Sequence, residues 1–286
     1  MDKSSRFRLI GWNTLLFIIC QAAAIKIASL GKAFLETRGV ESPELAWWHF
    51  LLMVFGALVF FLILLRLKLE VIFKIFFAVL IIWGGVILFS LFLPVYLAFL
   101  PAIALLLLWI FYSRVWVNDL ILVNGMVIFG LVFGLCFSPW AVLIILVAMS
   151  IYDVYAVHKG KFMQKIVDGM MKSGAIFGFL IPIVKTSDFL ASTKEASDDI
   201  SNVLAGGERE RFSLLGGGDI AFSILMVVSV FVEYGLKASL VVAAFGLVGL
   251  FLMYGIFILR KWRPMAALPP IALSLIAGFL VVHFLL

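Results

Sequence analysis

Long apolar runs, separated by short polar links, fill most of this 286-residue chain. Hydrophobic residues make up 65% of the sequence and charged residues 13%, whereas roughly a quarter of the residues are charged in soluble domains. One soluble core cannot bury so many runs, but a bilayer needs about 20 apolar residues for each helical crossing. Transmembrane β-barrels have alternating segments of about ten residues instead. The sequence therefore predicts an all-α polytopic membrane protein.

Nine transmembrane helices are predicted from these runs. The first run follows basic residues, but it is long enough to cross the bilayer, so we interpret it as an uncleaved helix rather than a signal peptide. The predicted spans are 9–30, 47–65, 71–93, 95–112, 120–137, 140–157, 213–234, 238–259 and 266–286.

Lysine and arginine residues are distributed unequally between the links that join these spans. If the N-terminus is cytoplasmic, only Lys32, Arg38 and Lys237 fall on the opposite side. The positive-inside rule therefore predicts a cytoplasmic N-terminus and a C-terminus outside. The formal net charge of +6 is explained by these cytoplasmic links, so the expected partner is the lipid bilayer and no nucleic acid.

Composition divides the chain into three consecutive segments. Residues 1–157 form a six-helix N-terminal half, residues 158–212 an amphipathic element with a mobile cytoplasmic loop, and residues 213–286 a three-helix C-terminal part. Within the middle segment, residues 176–184 are apolar but too short to cross, which favours an interfacial or re-entrant element. Residues 186–211 are polar and glycine-containing, which is typical of a mobile loop.

Two aspartates interrupt the sixth and seventh spans. Asp153 lies roughly 6 Å before the cytoplasmic end of its span, and Asp219 lies roughly 9 Å after the start of the next. An acid near a helix end is often explained by its access to the interface. Two acids at matched depth favour a different arrangement, because desolvation and mutual repulsion make one shared proton more stable than two charges.

A carboxyl pair of this kind is the apparatus of aspartic proteolysis, in which one acid activates water and the other polarises the scissile carbonyl. No competing catalytic set is present in the sequence. The histidines are scattered, no span contains HExxH or Gly-x-Ser-x-Gly, and the two cysteines have no spacing partner. The sequence therefore predicts neither a metal site nor a cofactor.

Three glycines, Gly216, Gly217 and Gly218, precede Asp219 directly. They remove side chains where a second backbone could approach, and they weaken the helix start so that a strand is possible there. The alternative explanation is a small-residue helix contact, which is common in membranes.

Three short motifs on these spans resemble those of the presenilin and signal peptide peptidase family. Tyr152-Asp153 is similar to its YD motif, Gly216-Gly217-Gly218-Asp219 to its GxGD motif, and Ala267-Leu268-Pro269 to its PAL motif. One departure is Ala266, where the family usually has proline. The order of the motifs, the nine-span layout and the long loop extend the resemblance over essentially the whole chain.

The resemblance implies a nine-span intramembrane aspartyl protease that cuts transmembrane helices of other proteins. It implies catalysis by Asp153 and Asp219, with Tyr152 beside the site and Ala267, Leu268 and Pro269 helping to hold substrate. It also implies a prokaryotic homologue in the plasma membrane. A substrate helix must unwind before hydrolysis, and an edge strand at residues 211–215 is expected to pair with it.

Three alternatives remain open from the sequence. Intramembrane acids also serve in transporters and cation channels, although no inverted repeat is evident here. A prepilin peptidase shares the GxGD motif but carries its first acid in a cytoplasmic segment. A catalytically silent scaffold for other membrane helices is the third. The natural substrate, the cleavage position and homo-oligomer formation are undetermined by the sequence.

Overall fold

The computed structural model describes residues 3–39, 45–66, 70–158, 176–183, 186–204, 211–259 and 266–285. These residues are mainly helical, because backbone groups inside a bilayer find no water and must bond within their own segment. The α-helices are α1 (Lys3–Arg38), α2 (Trp47–Arg66), α3 (Glu70–Ser90), α4 (Val95–Phe111), α5 (Val115–Cys136), α6 (Pro139–His158), α7 (Thr193–Leu204), α8 (Gly217–Tyr234), α9 (Leu236–Leu259) and α10 (Leu268–Leu285).

Six helices are long and apolar enough to cross a membrane, namely α1, α5, α6, α8, α9 and α10. Within α2, α3 and α4, shorter apolar segments of 10–17 residues are described. The prediction of a mainly helical, multi-pass membrane protein is therefore confirmed.

Two compact units divide the chain, and each draws on segments that are far apart in sequence. Unit 1 comprises residues 1–15, 58–125 and 161–217, and unit 2 comprises residues 16–57, 126–160 and 218–286. The division into three consecutive segments stays a prediction from composition.

Unit 1 contains a two-stranded antiparallel sheet. Strand β1 (Gly178–Pro182) pairs with strand β2 (Phe212–Gly216), so that Gly178 lies opposite Gly216 and Pro182 opposite Phe212. Helix α8 begins at Gly217, directly after β2. The sheet packs on α7 and the start of α5 through an apolar cluster of buried side chains: Val115, Ile176, Leu180, Ala196, Ile200 and Phe212.

In this part of the chain, the position of 176–184 relative to the membrane stays a prediction, whereas the prediction of a mobile loop is wrong. The segment predicted as interfacial or re-entrant, 176–184, contains β1, and all five of its strand residues are buried. The predicted mobile loop contains a 3-10 helix (Thr186–Leu190) and α7. Ala196 and Ile200 lie four residues apart on α7 and pack into the sheet cluster, so tertiary burial stabilises a helix of polar composition. The amphipathic stretch predicted at 159–171 lies outside the described residues.

In unit 2, glycines allow close packing around α8 and α10. A Cβ atom at Gly134 of α5 would lie 2.5 Å from Val228 Cγ1 on α8, and one at Gly249 of α9 would lie 2.8 Å from Ile271 Cα on α10. Residues 220–230 of α8 are all buried. This packing fixes the helices that carry Asp219 and the third motif.

Candidate active site

Asp153 lies in the last turns of α6, five residues before the helix ends at His158, and its side chain is partly buried. The Leu268 backbone N–H donates a hydrogen bond to Asp153 Oδ2 at 3.1 Å. The Ala267 amide is a second backbone partner of the same carboxyl group. The third sequence motif therefore contacts the first acid through its main chain.

The local sequence explains why α10 presents these amides. The first N–H groups of any helix lack intrahelical partners. Here α10 begins at Leu268, and Pro269 and Pro270 follow without N–H groups of their own, which their positions in the first turn tolerate. The remaining early donors, on Ala267 and Leu268, bond to Asp153. The positive end of the α10 dipole also points toward this carboxyl group.

Asp219 is the third residue of α8 and lies in its first turn. Its carboxyl group is partly buried and interacts electrostatically with that of Asp153. The structure therefore brings together the two acids and the turn before α10, three features that are far apart in sequence. Asp219 lies in the first turn of α8 and Asp153 contacts the first turn of α10, and the free backbone N–H groups of a helix start favour negative charge.

Tyr152 precedes Asp153 on α6, and 36% of its surface is exposed. Its phenol interacts electrostatically with the Asp153 carboxylate. Tyr152 therefore borders the acid pair without being enclosed by it.

The three glycines mark a change of secondary structure. Gly216 ends β2, and Gly217 and Gly218 begin α8, as expected for residues that weaken a helix start. The close backbone approach expected at Gly218 is absent among the described residues, because a Cβ atom there would meet only Phe222 at 4.0 Å. Gly218 therefore leaves open space just before Asp219.

An apolar groove of about 350 Å³ lies between α6 and α10. Ser150 and Val154 of α6 line it and bracket Asp153 in sequence, and Pro269 lines it from α10. The other lining residues are Val147, Ile151, Ala272, Leu273 and Ile276. Its volume lies at the lower end of the range of about 300–1,000 Å³ that is typical of ligand pockets, which is enough for side chains but not for a whole helix.

Sequence reasoning missed three polar residues that bond to the sheet. Asn118 and Asp119 contact β1, and Asp199 contacts β2. The adjacent pair Asn118-Asp119 was a readable signal, but the fifth span was predicted to begin at Leu120 and the pair fell into a polar link. The structure begins α5 at Val115. Within the described part of the chain, no three His, Cys, Asp or Glu residues cluster as metal ligands.

Comparison with known proteins gives a family and a fold. The family model described as "Signal-peptide peptidase, presenilin aspartyl protease" matches residues 14–286. A solved structure of a presenilin family intramembrane aspartate protease, in space group C222, matches with a TM-score of 0.60 and 21% identity, covering 94% of each chain. A second, in space group P2, matches with a TM-score of 0.60 and 20% identity, covering 96% of each chain. A comparison with curated proteins gives no match.

Proposed function

Since the chain belongs to the signal-peptide peptidase and presenilin family of aspartyl proteases, we propose that it hydrolyses peptide bonds within transmembrane helices of other membrane proteins through Asp153 and Asp219. One observation carries this proposal. The carboxyl group of Asp153 interacts with that of Asp219 and with the amides that begin α10. An electrostatic interaction between two acids on separate helices is what a catalytic dyad requires, and it supports the proposal.

The dyad acts on a water molecule and the scissile peptide. One ionised carboxylate takes a proton from water as the water oxygen attacks the carbonyl carbon, while the protonated partner gives its proton to the carbonyl oxygen. The tetrahedral diol then collapses: one of its hydroxyl groups returns a proton to the carboxylate that gave one, the C–N bond breaks, and the amine nitrogen receives a proton from the acid that collected it. One proton shared between the two acids at the start satisfies both roles.

Substrate side chains have an apolar groove available beside Asp153. Ile151 and Leu273 line it and expose 68% and 69% of their surfaces. A transmembrane segment carries apolar side chains, which pack against such a surface as they leave lipid of the same polarity. We assign this groove to side chains next to the scissile bond.

An unwound substrate also needs partners for its backbone. Strand addition at β2 supplies them, because β2 leads without a break into the helix that carries Asp219. The Phe212 amide already donates to Asp199 Oδ2 at 3.0 Å, so Leu214 is the residue of β2 that we assign to pairing.

The proposal includes a membrane topology and location. The nine predicted spans comprise the six long apolar helices together with α2, α3 and α4, with the N-terminus in the cytoplasm and the C-terminus outside. The expected location is the plasma membrane of a prokaryote. The dyad is then near the cytoplasmic side, where water reaches it over a short distance.

Incubation of the purified protein with a transmembrane peptide tests the proposal. We expect cleavage by the unsubstituted protein and no detectable cleavage by Asp153→Ala or Asp219→Ala, because each variant lacks one of the two proton-transfer groups. Glu233→Gln is the matched control, since Glu233 is an exposed acid at the other end of α8, and it should cleave normally. An intact peptide with every protein, or cleavage that survives both alanine variants, would contradict the proposal; a transporter or scaffold would leave the peptide intact.

A further inference from the structure

Two adjacent polar residues are almost completely buried near the start of the apolar helix α5. Asn118 is 1% exposed and Asp119 is 5% exposed. A buried polar group costs free energy unless it is hydrogen-bonded. Each of the two side chains forms a hydrogen bond with the backbone of β1.

The contacts are with two residues of β1 that are two positions apart. Asn118 Nδ2 donates to the Gly178 carbonyl oxygen at 3.3 Å, and the Leu180 N–H donates to Asp119 Oδ1 at 2.9 Å. Backbone groups of alternate residues in an antiparallel strand point to the same edge. The pair therefore bonds along one edge of β1.

The sheet register identifies that edge as the outer one. The Ile183 N–H donates to the Arg211 carbonyl at 2.8 Å, and this pair continues the register in which Phe179 lies opposite Leu215. Odd-numbered residues of β1 thus bond to β2, and even-numbered residues point away from it. Pro182, the next residue on the outer edge, has no N–H to offer. Of the five backbone groups that Gly178, Leu180 and Pro182 present on this edge, α5 occupies two, including the Leu180 N–H at the centre of the strand.

We propose that Asn118 and Asp119 are positioning residues of the protease, which seal the outer edge of β1 so that an incoming substrate strand pairs only with β2. This inference rests on the proposed function. An unsealed sheet would offer two edges, because each strand of a two-stranded sheet has one. Only β2 continues directly into the helix that carries Asp219. A substrate strand paired with β2 is therefore aligned relative to Asp219, whereas a strand paired with β1 is not.

The unsatisfied atoms of the pair also point to positioning rather than stability. Asn118 Oδ1 and Asp119 Oδ2 are buried and have no hydrogen-bond partner within the described part of the chain. Apolar side chains of similar size could fill the same volume at little cost in stability. What the polar pair adds is its hydrogen bonds to the two strand groups.

The test measures where a transmembrane peptide is cut, using the full chain reconstituted in lipid and mass spectrometry of the products. Asp119→Leu removes the acceptor for the Leu180 amide, and Asn118→Asp removes the donor to the Gly178 carbonyl at unchanged size. We expect both variants to spread cleavage over neighbouring peptide bonds and to lower kcat at least about tenfold, with a smaller change in KM, because the substrate strand is misplaced.

Two further variants separate positioning from folding. Asp119→Asn keeps the Oδ1 acceptor and should return cleavage to the unsubstituted pattern. Asn124→Leu is the matched control, because Asn124 is a polar residue of the same helix whose Oδ1 is buried without a partner among the described residues, and it should cut at the original position. If Asp119→Leu does not fold, Asn118→Asp alone decides the question.

Unchanged cleavage positions with a rate within about twofold in Asp119→Leu or Asn118→Asp would overturn the inference. So would an equal spread of cut sites in Asn124→Leu, which would indicate general loosening of α5. Failure of the unsubstituted protein to cut any peptide contradicts the proposed function instead, and the two failures are thus distinguished.

Discussion

At the residue scale, main-chain groups rather than a flexible side chain orient Asp153. Its partners are the amides of Ala267 and Leu268, and the two prolines that follow have no N–H to compete. Because the amides belong to the fixed start of a helix, the carboxyl group keeps its direction without an ordered partner side chain. Replacing Leu268 by another non-proline residue leaves this bond in place.

If the two acids share one proton, as we propose, the activity depends on pH at both ends of the range. Below the lower macroscopic pKa of the dyad both acids are protonated and no base is left, and above the upper one both are ionised and no acid is left. We therefore expect kcat/KM for a transmembrane peptide to follow a bell-shaped profile. A flat profile from about pH 4 to about pH 9, with the protein shown to stay folded throughout, would contradict a dyad.

The two proposed catalytic acids are easier to find in the sequence than the polar residues that bond to the sheet. Asp153 and Asp219 stand out because placing a carboxyl group inside an apolar membrane span costs free energy. Asn118 and Asp199 bond to strands that are distant in sequence, at Gly178 and Phe212. Such bonds have no local signature, since they exist only once the sheet has formed.

At the element scale, β2 can be tested by removing a single N–H. Leu214 lies opposite Leu180 in a pair whose backbone groups point away from the partner strand, so Leu214→Pro removes no β1–β2 hydrogen bond. We expect this variant to lower kcat/KM at least about tenfold, because the incoming strand loses its main-chain partner. Peptide cleavage and thermal unfolding of the same preparation are the measurements.

Leu214→Ala is the control for this substitution, because it removes the side chain from the apolar cluster but keeps the amide. It should retain most of the activity, and its fall in Tm measures the loss of packing alone. Equal activity of the proline and alanine variants would rule out strand pairing at Leu214.

The packing of α7 explains why this helix was not predicted from the sequence. Its sequence, Thr193 to Leu204, carries few apolar residues, so composition favours a loop. Ala196 and Ile200 become buried only against the sheet, and packing, rather than propensity, supplies most of the stability of a short helix. The strand β1 was missed for a related reason: a short apolar run without alternation is compatible with several structures.

At the scale of the whole molecule, each compact unit is assembled from three separate stretches of sequence. Apolar runs predicted the helices because each bilayer crossing has a fixed length. They carry no information on which helices pack together, since lipid-facing and protein-facing apolar surfaces have the same composition. Glycine contacts such as that of Gly134 with Val228 decide that packing.

The predicted topology can be tested by chemical labelling of single cysteines in intact and permeabilised cells. With Cys20 and Cys136 replaced by alanine, Lys194→Cys should be labelled only after permeabilisation, whereas Lys237→Cys and Leu285→Cys should be labelled in intact cells. Lys194, Lys237 and Leu285 are all exposed, so a lack of access reflects the membrane rather than burial. The cysteine-free protein serves as the blank and should retain peptide cleavage. Three predicted spans lie between Lys194 and Leu285, and an odd number of spans places two residues on opposite sides of the membrane. Labelling of Lys194→Cys and Leu285→Cys from the same side would therefore contradict the predicted topology.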